Sequence, residues 1–229
     1  MVTYLVGTCH VDLKGPQRLR KFLDFVRPSS ICHEGSEETA KQLFDGRRNG
    51  IEAFLQMANQ SDPALKFAAM LEYARGYEIW VPHQHKQEDN PTVNIYPLEN
   101  HRALQDALEC LNDLLENEEF YEVSSVQEKE ITSELMSGDL KGFQKYIDAS
   151  YFDSKAVADF RSLFKTDYLL EERDKPMEQK IREITLNDAK GTTVVVCGSG
   201  HIFGEYENLY ERLRDLSPCR IRLPELDRF

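Results

Sequence analysis

Two histidines near opposite ends of the chain follow the same kind of turn. Gly7-Thr8-Cys9-His10 closes the apolar run 2–6, and Gly198-Ser199-Gly200-His201 closes the run 194–197. In each copy a β-rich stretch breaks at a glycine and presents an imidazole just before a helical pattern. Glu34 ends a further apolar stretch, 30–34, in the same way. Ligands and catalytic groups in parallel α/β sheets gather at the carboxyl ends of strands, so these side chains are candidates for one shared site. Imidazole nitrogen and carboxylate oxygen together suit a divalent Mn, Co, Zn or Fe ion. Two histidines and one acid would leave coordination positions open, where a bound water loses its proton near neutral pH. His10, Glu34 and His201 are therefore the expected metal ligands.

Arg173 is the next candidate. It lies in Glu171-Glu172-Arg173-Asp174, a charged cluster that opens a helical pattern. Acids favour a helix N-terminus, which accounts for Glu171 and Glu172, whereas a cation there opposes the dipole. An arginine that clamps a substrate carboxylate or a developing oxyanion explains it better. His83 and His85, two apart, could also reach a metal if their segment were extended, or form a solvated surface pair. Cys9 beside His10 and Cys32 beside His33 point to opposite faces of a strand, so they read as core thiols rather than nucleophile–base pairs. The Gly-Ser-Gly turn could cradle a phosphate, but no following βαβ unit with an acidic strand end supports a dinucleotide site.

The elements that would position these groups form an α/β pattern. A strand at 2–6, a helix from Pro16 to Arg27 and a strand at 30–34 make the first unit, parallel by the usual rule for such crossovers. A helical stretch from 37 to 74 is broken near Ser61-Asp62-Pro63; then come a short strand at 77–81 and a loop at 83–97. Residues 98–190 read as a large helical insertion, with helices expected near 137–147, 154–164 and 169–184. The strand–turn–helix–strand plan then returns with a strand at 192–197, a helix at 206–216 and a strand at 220–223. The expected fold is thus a small central sheet from two pseudo-symmetric strand-GxxH-helix-strand units, flanked by helices, in a single domain spanning 1–229. The spacing from His10 to Glu34 is matched from His201 to Glu225, although Glu225 follows Pro224 rather than a strand.

Bulk properties exclude several function classes. With 229 residues, 41% hydrophobic and 30% charged, the chain can bury a full core and is not a disordered type. A net charge of −12 with no basic stretch argues against a nucleic-acid partner. No apolar run approaches the roughly 18–20 residues that span a bilayer, so no membrane role is expected. Five cysteines show no CxxC spacing, and the N-terminal stretch has no signal-peptide features; the expectation is a reduced, cytoplasmic protein. A homodimer is left open, since the stripe Leu104, Leu108, Leu111 and Leu115 suits either core or interface.

The turn Gly7–His10 with Val11, the strand-ending Glu34, Glu172-Arg173-Asp174 with Met177, and Gly198–His201 followed by Gly204 together resemble the TraB/PrgY family. That family is related to the Tiki and GumN proteins and, more distantly, to the erythromycin-esterase/ChaN-like group. The resemblance implies two GxxH histidines facing one cleft. It implies metal-dependent peptidase chemistry in the Tiki branch, hydrolysis by a histidine and acids in the esterase branch, and control of a peptide pheromone in the TraB/PrgY branch. Glu72 is a loose counterpart of a family glutamate, and Glu72 or Glu172 would serve as base or additional ligand. Where the family's third strand often ends in Asp-Arg, this chain has Pro82-His83-Gln84-His85. The expectation is a metal-dependent hydrolase acting on a peptide or small-molecule amide or ester, with Arg173 stabilising charge. The alternative is a non-catalytic module that sequesters a peptide or partner protein.

Overall fold

The computed structural model describes residues 2–41, 43, 63–99, 138–153, 167–188, 191–203 and 207–228. Five strands form one all-parallel sheet: β1 (Val2–Thr8), β2 (Ser30–His33), β3 (Asn94–Pro97), β4 (Thr192–Gly198) and β5 (Cys219–Arg222), in the order β3-β2-β4-β1-β5. Helices among the described residues include α1 (Gly15–Val26), α2 (Pro63–Ala74), α3 (Tyr77–Glu88), α4 (Leu140–Ser150), α5 (Asp167–Asn187) and the short α6 (Leu209–Arg212).

Alternation along the buried strands sends successive side chains to opposite faces, which builds two cores. Val6, Ile31, Val194 and Val196 meet Leu19, Phe22 and Leu23 of α1, Phe67 of α2, Tyr77, Trp80 and Val81 of α3, and Phe143 and Ile147 of α4. Leu5, Cys32, Val195 and Cys197 meet Met177 and Ile181 of α5 and Leu209 of α6 on the other face. The sheet is therefore covered on both sides, as parallel sheets must be.

The central pair β1 and β4 runs in register from Val2↔Thr192 to Thr8↔Gly198. Beyond β1 the chain turns to α1 on one face; beyond β4 it turns to α6 on the other. Adjacent parallel strands whose connections leave toward opposite faces open a crevice at their carboxyl ends. Both GxxH turns sit at that crevice.

The segment 77–97 differs from the sequence expectation. Residues 77–81 are not a strand but the start of α3, and Asn94–Pro97, expected as loop, is β3. Tyr77-Glu78-Ile79-Trp80-Val81-Pro82 are all buried, so the helix shows no alternation of apolar and polar faces and mimics a buried strand. Gly76, at φ 66, makes the sharp change of direction that starts α3, and its carbonyl accepts from both Ile79 and Trp80. Pro82 lies inside the helix, so His83 and His85 are helical and not at a strand end. The helix expected at 206–216 is shorter: α6 covers Leu209–Arg212, followed by a 3-10 turn at Arg214–Leu216. The stripe Leu104–Leu115 and the helix expected at 154–164 lie outside the described residues, as do Cys110, Gly204 and most of the expected 98–190 insertion.

Candidate active site

The crevice holds His10, Glu34, Arg173 and His201 together, joined by Glu78, Glu99 and Asp174. Glu34 extends the β2–β4 ladder by one bond, its N–H donating to the Val196 carbonyl at 2.9 Å. Its carboxylate is fully engaged. Oε2 accepts from the Gly198 N–H at 2.7 Å; Oε1 accepts from Arg173 Nη2 and lies 3.3 Å from His201 Nε2. Arg173 also donates through Nε to Glu99 Oε1, so the guanidinium bridges two carboxylates. Glu99 reaches this position because the chain beyond β3 continues beside β2, with the Glu99 N–H donating to the Gly35 carbonyl at 3.2 Å.

The two histidines are held alike. His10 Nδ1 is 2.5 Å from Glu78 Oε1, and His201 Nδ1 is 2.6 Å from Asp174 Oδ1. Each acid fixes the ring through Nδ1 and leaves Nε2 for another partner, a pattern that orients imidazoles for metal or proton work; His201 Nε2 lies 3.3 Å from Glu34 Oε1. Gly198 is what makes the approach close. A Cβ there would stand 3.3 Å from Glu34 Oε2 and 3.5 Å from His10 Nε2. The turn that carries His10 is pinned by Asp12, whose carboxylate accepts from Lys14 N–H and Gln144 at Oδ1 and from Arg18 and Tyr151 at Oδ2. Tyr151 Oη in turn accepts from the Cys9 N–H at 2.8 Å.

Charge in the cluster is strongly coupled. Burial opposes ionisation of Glu34, but the positive fields of His201 and Arg173 outweigh it and hold its carboxyl well below the usual range. Burial likewise pulls His201 down, while the Glu34 charge and the Asp174 hydrogen bond raise it to about 9. Burial pulls His10 down as well, but the Glu78 hydrogen bond and the charges of Glu78 and Glu34 raise it, again to about 9. The His10 side chain is nonetheless 57% exposed, so solvent reaches its outer surface. Nearby thiols are held protonated: burial pushes Cys9 up to about 11, Cys32 to about 12 and Cys197 well above its ordinary value.

A divalent ion fits this site by donor type. Two anchored imidazoles flank one carboxylate, His201 Nε2 at 3.3 Å from Glu34 Oε1 and His10 Nε2 near Glu34 Oε2 at Gly198. Glu78 Oε2, Glu99 Oε2 and Asp174 Oδ2 are buried and make no hydrogen bond among the described residues, so the surroundings are rich in negative charge. The convergence is loose, however. Among the described residues, the group of three or more His, Cys, Asp or Glu side chains with ligand atoms all within 4.8 Å of one another is Asp24, His85 and Asp89.

Of the side chains singled out from sequence, His10, Glu34, Arg173 and His201 meet here. Glu72 sits on α2, half-exposed, with its carboxylate 3.8 Å from Arg75. The side chain of Glu172 lies outside the described residues. Glu225 accepts from the Arg222 N–H at 2.8 Å and so closes its own turn. His83 packs beside His33, with ring centroids 5.6 Å apart. Three site residues carried no assigned role in the sequence. Asp174 stands in the charged cluster beside Arg173, Glu78 in a helical segment whose sequence predicts a strand, and Glu99 just beyond a strand whose sequence predicts a loop. No helix among the described residues is long and apolar enough to cross a membrane. No protein-family model, curated protein or solved structure matches the chain.

Proposed function

We propose that the chain is a metal-dependent hydrolase of the TraB/Tiki type, acting on an amide or ester bond in a peptide or similar small substrate. One observation carries the reading: both histidines have Nδ1 tied to a carboxylate, with His201 Nε2 3.3 Å from the buried Glu34 and His10 Nε2 beside the same carboxylate at Gly198. His10, His201 and Glu34 would hold the ion, which when bound supplies an acidic water and polarises the substrate carbonyl. Glu78 and Asp174 keep the imidazoles in the tautomer that offers Nε2. Arg173 keeps Glu34 ionised and lends positive charge to an oxyanion. The reading also takes the two strand–turn–helix–strand units as pseudo-symmetric halves and the intervening chain as an insertion. In support, β1 and β4 are adjacent and their following strands, β2 and β5, lie on the outer sides.

Metal analysis and a screen of peptide and ester substrates with Mn²⁺, Co²⁺ and Zn²⁺ test the proposal. Turnover that needs the metal and disappears in His10→Ala/His201→Ala, together with lowered occupancy, is expected. Equal occupancy in the variant would overturn the ligand assignment, and tight capture of a peptide without turnover would favour sequestration. The engagement of both Glu34 oxygens by Arg173 and Gly198 favours one further reading, acid–base hydrolysis by His10 without an ion. Full activity in excess chelator would select it.

A further inference from the structure

We propose that Asp24, His85 and Asp89 form a second divalent-cation site, remote from the crevice, that clips α1 to α3. His85 and Asp89 stand four apart at the C-terminal end of α3, hence on one face, and Asp24 comes from the last turn of α1. His85 Nδ1 lies 3.2 Å from Asp24 Oδ1 and 3.6 Å from Asp89 Oδ2, and all three ligand atoms are within 4.8 Å of one another.

Hydrogen bonding does not account for this arrangement. The His85 side chain is only 2% exposed, yet neither ring nitrogen makes a hydrogen bond among the described residues, and the 3.2 Å approach to Asp24 lacks hydrogen-bond alignment. The spacing instead matches ligands around an ion. With bonds of about 2.0–2.2 Å, tetrahedral ligand atoms stand about 3.3–3.6 Å apart. One imidazole and two carboxylates suit zinc or a neighbouring first-row ion. The carboxylates are 48% and 34% exposed, so water can fill the remaining positions. Arg20 donates to Asp89 Oδ2 at 2.9 Å and to Glu88 at 2.7 Å, and so holds Asp89 in place from outside. The ion would neutralise the facing acids of two packed helices, and α3 is the helix whose first turn carries Glu78.

The test titrates Zn²⁺ into chelator-stripped protein by calorimetry, comparing the full chain with Asp24→Ala and His85→Gln. Because Asp24 is half-exposed, its replacement leaves the core intact even if His85→Gln does not fold. The expected result is the loss of one zinc-binding event per chain in Asp24→Ala, or its weakening at least ten-fold, with loss of the zinc-induced rise in melting temperature. The difference is read whether or not the crevice binds an ion: two events become one, or one becomes none. Unchanged stoichiometry and affinity in Asp24→Ala would overturn the proposal, as would a full chain that binds no zinc.

Discussion

His201 with Asp174 and His10 with Glu78 are chemically the same pair placed in different media. The first is sealed, with side-chain exposures of 2% and 0%; in the second the acid is buried but the imidazole is 57% exposed. A charged hydrogen bond removed from water has no substitute when one partner is lost, whereas a half-exposed ring can turn to solvent. The sealed pair is thus suited to a fixed electrostatic role. The open pair is the one that solutes can reach, and the one whose proton can exchange with solvent.

Three experiments probe that contrast, in order of expected effect. Asp174→Ala leaves His201 buried without its acid and should cost about 3–5 kcal/mol in urea unfolding. Glu78→Ala should cost about 1 kcal/mol, part of it from the favourable placement of an acid in the first turn of α3. Equal losses would erase the distinction between the pairs.

The second is pH dependence, measured in chelator so that no ion competes with protons. The His201 pKa rises on folding from 6.5 to about 9, so its contribution is complete below about pH 6.5 and is lost as pH climbs through about 9. Glu34 is depressed from 4.5, so its contribution is present above about pH 4.5 and is lost on acidification below that. The urea midpoint should therefore be highest between about pH 4.5 and 6.5 and fall toward pH 9. Asp174→Asn should flatten the alkaline limb far more than Glu78→Gln, because solvent screens the exposed ring. A limb unchanged by Asp174→Asn would contradict the assignment.

The smallest effect is expected from Gly198→Ala. The added methyl meets Glu34 Oε2 at 3.3 Å and His10 Nε2 at 3.5 Å. A stability loss of at most about 1 kcal/mol should accompany a clear change in the NMR titration of His10, since the open ring is free to give way. A shift confined to His201 would reverse that expectation.

Much of the crevice was legible in the sequence because its main residues follow strands directly. Val194–Cys197 and the run before Gly7 are apolar and β-rich, and their ends are marked by glycine, so His10 and His201 could be placed without tertiary information. Glu34 could be placed for the same reason. The partners were hidden because each depends on packing. Glu78 lies on a helix buried on every side, where periodicity carries no information. Asp174 is adjacent to Arg173, and neighbours on a helix point about 100° apart. Both reach the site because the crevice wraps around α5, which no spacing rule reveals.

The sheet order carries a consequence for how the protein is made. β1 and β2 never touch; β4 lies between them, pairing Ser30 with Thr193 on one side and Val2 with Thr192 on the other. During synthesis the first two strands emerge long before the one that joins them. Pairings of such long sequence separation are slow to form. The nascent chain therefore carries unpaired strand edges on β1 and β2 and no assembled cluster until β4 is inserted between them, after which β5 closes onto the free edge of β1. A chain ending before β4 would lack both Gly198 and His201 and could not assemble the Glu34 cluster.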